Sequence, residues 1–181
     1  MASWSKVARR IRVPLGFALA VVYFWLAQPT LRSMLIGGAL VLPGLLVRAI
    51  ASGHVQKNEQ LATSGPYAYT RNPLYLGSFI LALGFACAAR SLRIAALMAI
   101  MFFLIYLPVI RDEENFLLNH FPEFEDYAKR VPRLFPRLRG SQGGGSRFSW
   151  ALYWKHREYN ALLGSAVLLL ALAAKLHWMS R

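Results

Sequence analysis

The sequence predicts an all-α protein, a polytopic integral membrane helical bundle with about five transmembrane helices. Of the 181 residues, 56% are hydrophobic and only 16% are charged, a balance too apolar for an ordinary soluble domain of this length. Uncharged runs of helical length follow one another along the sequence, and basic residues cluster between them. The alternative, a soluble bundle of buried helices, would require polar faces repeating every 3.6 residues, which the runs almost entirely lack.

Five uncharged runs define the predicted spans: residues 13–31, 33–47, 72–89, 94–110 and 159–174. Because a helix needs about 20 residues to cross a bilayer, the shorter runs must extend into flanks where Arg32, Arg48 and Lys175 can snorkel. The first run follows Arg10 and Arg12 and so resembles a signal peptide. It is longer than the usual signal core of about 7–15 residues and no clear cleavage site follows, so we interpret it as a span.

The distribution of lysine and arginine predicts the orientation. The net charge is +13, and a strongly basic protein could bind nucleic acid. The basic residues cluster between apolar runs, however, and this distribution is typical of a protein at a membrane surface. With the N-terminus in the cytoplasm, sixteen of the 21 basic residues face the cytoplasm and five face the other side. We therefore expect membrane lipids as partners, no nucleic acid, and a cytoplasmic location for the polar segments 51–71 and 111–158 and for any active site they form.

Composition along the sequence predicts four parts: an N-terminal two-helix membrane hairpin (1–50), a catalytic core (51–138), a Gly/Ser-rich linker (139–149) and a C-terminal transmembrane helix (150–181). Cys87 is the single cysteine and lies inside an apolar run, so we expect no disulfide framework, and nothing in the sequence indicates a metal site. The spacing in 116–136 predicts an amphipathic helix on the membrane or, equally, a cap over the site.

Polar residues stand at the threshold of the third span, in the stretch SGPYAYTRNPLYLG that begins at Ser64. Gly65 and the proline after it predict a turn, and Asn72 followed by Pro73 predicts a helix start, with asparagine as the cap. Arg71 is unexpected there, because a cation at a helix N-terminus faces the positive end of the macrodipole. An anion is therefore predicted beside Arg71.

Acidic residues follow the fourth predicted span, where the charge of the helix end is also unfavourable to them. Glu113 and Glu114 follow the apolar run 94–110, where a helix C-terminus disfavours negative charge. A tight turn joins the third and fourth spans, so they should form an antiparallel hairpin that brings Arg71 beside the two glutamates. This predicts a polar pocket at the inner membrane boundary. The simpler alternative is an ion pair between Arg71 and either glutamate.

These residues, taken in order, resemble the isoprenylcysteine carboxyl methyltransferase family, to which phospholipid N-methyltransferases are more distantly related. The resemblance covers about 51–136, and each piece alone is weakly specific. It implies a membrane enzyme that transfers a methyl group from S-adenosylmethionine to a lipidic acceptor at a cytoplasmic-side cofactor pocket. The segments that carry the resemblance are Leu61, Gly65-Pro66-Tyr67, Arg71-Asn72-Pro73-Leu74-Tyr75-Leu76-Gly77, Glu113-Glu114 with Leu117, and Phe121 with Tyr127, Val131 and Pro132.

The resemblance also implies roles for individual residues. It implies catalytic roles for Arg71, Glu113 and Glu114. Two departures from the family stand out: Asn72 replaces a frequent histidine, and Val109 occupies the place of an arginine thought to face the acceptor carboxylate, a role for which Arg111 is the nearest substitute. The implied cofactor contacts are Lys57, Gln60, Leu61, Ala62, Gly65, Tyr67, Asn72, Pro73, Leu74, Tyr75 and Glu113.

The chemistry of the acceptor stays open at the level of the sequence. A carboxylate of an isoprenylcysteine-like lipid is ionised near neutral pH and needs no base, whereas a lipid amine must first lose a proton, for which Glu113 or Glu114 is available. An NADPH-dependent membrane reductase of the sterol type and a non-catalytic membrane protein are the remaining alternatives. Methyl transfer requires alignment of acceptor and methyl group, so no metal is expected.

Overall fold

The computed structural model describes residues 4–56, 59–140 and 147–181. All regular secondary structure in these residues is helical, which confirms the prediction of an all-α protein. A 3₁₀-helical turn spans Gly65–Ala68 and a π-helical turn spans Phe102–Tyr106. The α-helices are α1 (Trp4–Leu26), α2 (Leu31–Ser52), α3 (Pro73–Ala89), α4 (Leu92–Met101), α5 (Leu107–His120), α6 (Phe124–Arg130), α7 (Trp150–Lys155) and α8 (Tyr159–Met179).

Most of each uncharged run is helical, but the helices differ in length. Three described helical stretches are long and apolar enough to cross a membrane: Leu31–Ser52, the continuous stretch Leu92–His120, and Tyr159–Met179. The other two, Val13–Leu26 and Pro73–Ala89, are apolar but shorter. The structure therefore supports an integral membrane helical protein with three long candidate spans. Of the predicted linker, residues 141–146 lie outside the described residues.

Interlocking glycines hold α2 against α3. A Cβ added to Gly37 would lie 2.5 Å from the carbonyl oxygen of Gly84, and one added to Gly44 would lie 3.0 Å from that of Gly77. Both glycine pairs are seven residues apart on their helices, so they recur on one face after two turns. Small residues at such an interface let helix backbones approach closely within a membrane. This contact fixes the first turn of α3 relative to the end of α2.

The tight turns at the far ends of the helices form as predicted. Thr30 and Ser33 make a reciprocal capping box at the start of α2. Arg90 ends α3 in the left-handed region with φ of 50°, and the Ser91 side chain then caps α4. The α3–α4 connection is thus short enough to return α5 to the side where α3 begins.

The π-helical turn between α4 and α5 lies next to a proline. Pro108 has no N–H, so the carbonyl of Leu104, four residues earlier, lacks its α-helical donor. The indole N–H of Trp4, at the start of α1, donates to that carbonyl at 3.0 Å. Ala8 on the next turn of α1 packs with Ile105 and Val109 in one apolar cluster. The beginning of α1 is therefore fixed against the π-helical turn.

α8 is attached to the other helices at both of its ends. At one end the Lys175 ammonium donates to the carbonyls of Phe24 and Trp25, at 2.5 and 3.0 Å. At the other end Glu158 accepts a hydrogen bond from Nε of Arg48 at 2.5 Å. The starts of α3 and α8 therefore lie at the same end of the bundle as the ends of α2 and α5.

One expectation for residues 116–136 was wrong in its detail. These residues form the end of α5, a break, the short helix α6 and an extended segment, instead of a single amphipathic helix. Phe124 and Tyr127 are buried against Leu61 and Val131 and do not face outward. Arg133 also faces inward and pairs with Glu114. This inward packing is compatible with the alternative, a cap over the site, which stays a prediction.

Candidate functional site

The site is built on two extended segments that pair beside the first turn of α3. The backbone N–H of Arg71 donates to the carbonyl of Pro132 at 2.9 Å, and that of Arg137 donates to the carbonyl of Tyr69 at 3.1 Å. Between them the hydroxyl of Thr70 donates to the carbonyl of Leu134 at 2.9 Å. The segment after α6 therefore holds the connection into α3 in place by backbone hydrogen bonds.

Glu114 is the buried centre of the site. Its Oε2 accepts hydrogen bonds from Nε of Arg133 at 2.8 Å and lies 2.8 Å from Nη2 of the same guanidinium. Its Oε1 accepts from Nδ2 of Asn72 at 3.1 Å and lies 3.5 Å from Nε of Arg71. The side chain is 8% exposed, so the two arginines compensate a charge that would be costly to bury alone. Both carboxylate oxygens are thus engaged in joining α5 to the start of α3 and to the segment after α6.

Arg71 has the anionic partner that its position requires. The predicted pairing of Arg71 with one of the two glutamates is confirmed, and the partner is Glu114. The expected helix end at these glutamates was wrong, because α5 continues to His120. The pairing is incomplete, since Nε of Arg71 is buried and has no hydrogen-bond acceptor among the residues that the structure describes. A buried cationic donor without an acceptor is unusual and marks a place where an anionic group would be favoured.

Glu113 faces a different side of α5 from Glu114. The hydroxyl of Tyr75 donates to its Oε1 at 3.0 Å. The Tyr75 ring packs edge-on against Tyr106 with centroids 5.8 Å apart. Glu113 is half-buried, whereas Glu114 is buried. Of the two carboxylates, Glu113 is therefore the more accessible to another molecule, and it lies beside the aromatic pair.

Two buried tyrosines connect these glutamates. The hydroxyl of Tyr127 donates to the carbonyl of Tyr67 at 2.7 Å. Burial raises the pKa of the Tyr67 phenol well above its ordinary value, and the charges of Glu113 and Glu158 raise this pKa further. Burial also raises the pKa of Tyr127. Both phenols therefore stay neutral at physiological pH, and Tyr67 lies within electrostatic reach of both Glu113 and Glu158.

The helix start was predicted correctly, although the role of Asn72 as a cap was wrong. α3 begins at Pro73, but the side chain of Asn72 makes no capping hydrogen bond. Its Nδ2 donates instead to Glu114 and to the carbonyl of Arg133 at 3.0 Å. The Nδ2 group donates to a buried carboxylate, a strong charge-assisted hydrogen bond, while the side-chain oxygen that would accept from the first amides of α3 makes no capping bond.

The other residues predicted to contact the cofactor differ in how deeply they are buried. Leu61 packs against the cluster of Phe124, Tyr127 and Val131, and Ala62 next to it is half-buried. Gln60 is exposed, and Lys57 lies outside the described residues.

Gly65 and Leu74 lie nearer the site. Gly65 has φ of +57°, and a Cβ there would lie 2.7 Å from the imidazole of His54. The carbonyl of Leu74 accepts from Nη1 of Arg48 at 3.3 Å. Val109 occupies the position where the resemblance implies an arginine. It is 1% exposed and packs on α1, whereas Arg111, the nearest substitute, is exposed.

Sequence reasoning missed three residues that the structure brings to the site. Arg133 follows the Val131-Pro132 pair of the resemblance and is its continuation, but only the folded path shows that it reaches Glu114. Arg48 binds Glu158, Ser78 and the carbonyl of Leu74 together. Glu158 was detectable as an acid between a basic segment and an apolar run, a position where an ion pair is expected.

Two well-defined cavities lie among the described residues. Neither has Arg71, Glu113 or Glu114 in its wall, so neither is the polar pocket that the sequence predicts. One cavity, of about 500 Å³, lies at the opposite ends of α2 and α3. The other, of about 360 Å³, has Arg48, Ser78 and Tyr106 in its wall. Among the described residues, no group of three His, Cys, Asp or Glu side chains is placed to hold a metal ion.

Comparison with known proteins identifies relatives of this sequence. The model of the family described as "Phospholipid methyltransferase" matches residues 11–123. The cobalt-zinc-cadmium resistance protein CzcN of Cupriavidus metallidurans is 40% identical over 136 residues, which are 70% of this chain and 62% of that protein. The nickel-cobalt-cadmium resistance protein NccN of Alcaligenes xylosoxydans xylosoxydans is 39% identical over 63% of this chain and 53% of its own length.

The resemblance to isoprenylcysteine methyltransferases is also confirmed. The protein-S-isoprenylcysteine O-methyltransferase of Schizosaccharomyces pombe is 29% identical over 142 residues, covering 75% of this chain and 60% of that protein. The chain thus spans between half and two thirds of the length of these relatives. No solved structure matches it.

Proposed function

The chain belongs to the phospholipid methyltransferase family, and we propose that it is an S-adenosylmethionine-dependent methyltransferase that acts on a lipidic acceptor embedded in the membrane. The observation that carries the proposal is the contact between the Arg71–Tyr75 segment and the Glu113–Glu114 pair. Two segments far apart in the sequence, one with a cation at a helix start and one with two carboxylates, meet at one end of an apolar bundle. We propose that this end faces the cytoplasm.

The described residues fit the charged groups of S-adenosylmethionine. Arg71 offers a buried Nε without an acceptor, which suits a carboxylate. Glu113 suits an ammonium or sulfonium group, and the rings of Tyr67 and Tyr75 suit a cation by cation–π attraction. When bound, the cofactor would supply an activated methyl group.

The chain's own residues would then orient the reactants and exclude water. Glu114, held by Arg71, Arg133 and Asn72, keeps the start of α3 against α5. Glu113, oriented by the Tyr75 hydroxyl, would face the acceptor head. The neutral Tyr67 and Tyr127 add no competing charge and fill the layer beneath it. Alignment of the reacting groups is the main contribution expected of the protein in a displacement of this kind.

For the acceptor we propose the carboxylate of an isoprenylcysteine-like lipid, by similarity to the yeast protein of that name. A lipid amine is the second candidate, and a specific observation favours it. Val109 is buried against α1, so the position implied for a carboxylate-binding arginine contributes no charge, whereas Glu113 is placed to accept a proton from an ammonium group. The metal-resistance names belong to the relatives and assign no metal to this chain.

The decisive experiment incubates membranes containing the protein with methyl-labelled S-adenosylmethionine and extracts the lipids. Label released by mild base indicates an ester and therefore a carboxylate acceptor, and base-stable label indicates an amine. Membranes with Glu113→Gln provide the matched control for background methylation. Thermal stabilisation of purified protein by NADPH, with none by S-adenosylhomocysteine, would reject methyl transfer in favour of a reductase.

A further inference from the structure

A partly open cavity of about 360 Å³ lies between α1, α3, the α4 helix with its π-helical turn, and α8. This volume is within the range of small-molecule sites. Its wall is apolar along most of its length, and polar side chains gather at one end, where Arg48, Ser78 and Asn160 lie. A hollow with this division suits a molecule that has a hydrocarbon tail and a polar head.

The polar end of the cavity adjoins the candidate site. Arg48 donates from Nη1 to the carbonyl of Leu74, in the first turn of α3. Tyr106, in the cavity wall, packs edge-on against Tyr75, whose hydroxyl donates to Glu113 at 3.0 Å. A molecule whose tail fills the cavity would therefore hold its head one aromatic layer away from Glu113.

One wall of the cavity comes from α8, which lies outside the residues 11–123 matched by the family. Asn160, Gly164 and Leu168 lie in this wall and recur every four residues, so a single face of α8 lines it. The ion pair of Glu158 with Arg48 anchors this face at the polar end.

We propose that this cavity binds the hydrocarbon tail of the methyl acceptor and that α8 determines which tail length the protein accepts. The inference rests on the proposed function, because it takes the cavity's occupant to be the acceptor. Its apolar wall provides the site for the tail, and the polar groups at its end hold the head one aromatic layer away from Glu113. Ordinary bilayer lipid that fills the space without selection is the competing occupant.

Two glycines in the cavity wall allow the space to be filled without disturbing the fold. A Cβ added to Gly16 of α1 or Gly164 of α8 would meet no atom within 4 Å, so a larger side chain there has room, and leucine favours the helix more than glycine. Gly38 of α2 also has nothing within 4 Å but is not in the cavity wall. Gly38→Leu is therefore the matched control for Gly164→Leu.

The test uses the full-length protein in phosphatidylcholine nanodiscs. N-acetylcysteine S-alkylated with a hexadecyl tail that ends in a photoreactive diazirine is crosslinked to the protein, and labelled residues are mapped by mass spectrometry. Octyl, dodecyl and hexadecyl derivatives compete for labelling. We expect label on α4 and α8 beside the cavity. Because a single methylene in an apolar pocket changes discrimination by about tenfold or more, Gly164→Leu should weaken hexadecyl competition about tenfold and favour octyl, while Gly38→Leu changes neither.

The outcomes separate this inference from the proposed function. Equal labelling and equal tail preference in the native protein, Gly164→Leu and Gly38→Leu would overturn the inference, as would label spread over lipid-facing residues of α2. Thermal stabilisation by S-adenosylhomocysteine is measured on the same three proteins and should be unchanged among them. If the native protein shows no such stabilisation, the proposed function fails and the tail cannot belong to a methyl acceptor, even if the cavity is labelled.

Discussion

Glu114 and Glu158 are both buried carboxylates paired with arginine, but they are bound in different ways. Glu114 has hydrogen bonds on both oxygens, from Arg133 and Asn72, and a second arginine beside it. Among the described residues, the Glu158 side chain has one hydrogen-bonded partner, Arg48, and this arginine lies in the wall of a cavity. The first arrangement joins three segments and occupies both oxygens of its carboxylate. The second fastens a single helix, and its arginine borders the cavity.

The largest effect is expected from Glu114→Gln. This change removes the negative charge between Arg71 and Arg133, and breaking a buried ion pair costs about 3–5 kcal/mol. Arg133 is 47% exposed and can be solvated, so we expect a loss of about 2–4 kcal/mol in the free energy of unfolding. Thermal unfolding in detergent measures it, and binding of S-adenosylhomocysteine should be lost as well.

Glu125→Gln is the control for that experiment, because Glu125 pairs with Lys129 on the exposed face of α6. Exposed pairs contribute little to stability, so its unfolding temperature should match that of the native protein. Equal stability of Glu114→Gln and Glu125→Gln would show that the three-segment contact does not support the site.

The apolar helices and one contact of the site could be predicted from the sequence. The positions of the apolar helices follow from local hydropathy, and the meeting of Arg71 with the acidic end of the fourth span follows from one short turn between two antiparallel helices. Which glutamate Arg71 would meet could not be predicted, since neighbouring residues on a helix point about 100° apart and the rotation of α5 depends on its packing against α1. The packing of Ala8 with Val109 is such a contact.

The rest of the site depends on contacts between residues distant in the sequence. Arg133 reaches Glu114 because the segment after α6 turns back to pair with residues 69–71, and the Asn72 side chain donates to Glu114 and makes no capping bond. Neither partner is signalled by local spacing. The cavity is similarly unpredictable, because it forms where four helices fail to close around two glycines, and the π-helical turn in its wall arises from a proline combined with Trp4.

Glu158→Gln should have a smaller effect than Glu114→Gln. Arg48 keeps its hydrogen bonds to Ser78 and to the carbonyl of Leu74, and losing one charged hydrogen bond costs about 1–2 kcal/mol when the remaining charge is partly solvated. Thermal unfolding should detect this decrease, while binding of S-adenosylhomocysteine should persist. If cofactor binding disappeared here but persisted in Glu114→Gln, the roles assigned to the two glutamates would have to be exchanged.

Tyr75→Phe removes the hydroxyl that orients Glu113 and keeps the ring against Tyr106. We expect a loss of about 0.5–1.5 kcal/mol in stability, typical of one hydrogen bond, and a larger fractional loss in methyl transfer at unchanged S-adenosylhomocysteine binding. The measurement is kcat with labelled cofactor beside a binding titration. Full activity in this variant would remove Tyr75 from the positioning of Glu113.

The smallest effect near neutral pH, and the one that tests both glutamates together, concerns the titration of Tyr67. Its folded-state pKa is raised above the ordinary 10.0 by burial first, and then by charges that include Glu113 and Glu158. Above pH 10 the unfolded phenol loses its proton while the folded one keeps it, so stability is complete below pH 10 and falls as the pH rises further.

Tyr67→Phe should flatten this decline in the unfolding temperature, whereas Tyr69→Phe, at an exposed position on the same segment, should not. Introducing Glu158→Gln should also make the decline less steep, because one of the negative charges that hold the phenol protonated is then gone. A decline that is the same in all these variants would mean that Tyr67 is not buried within electrostatic reach of Glu113 and Glu158.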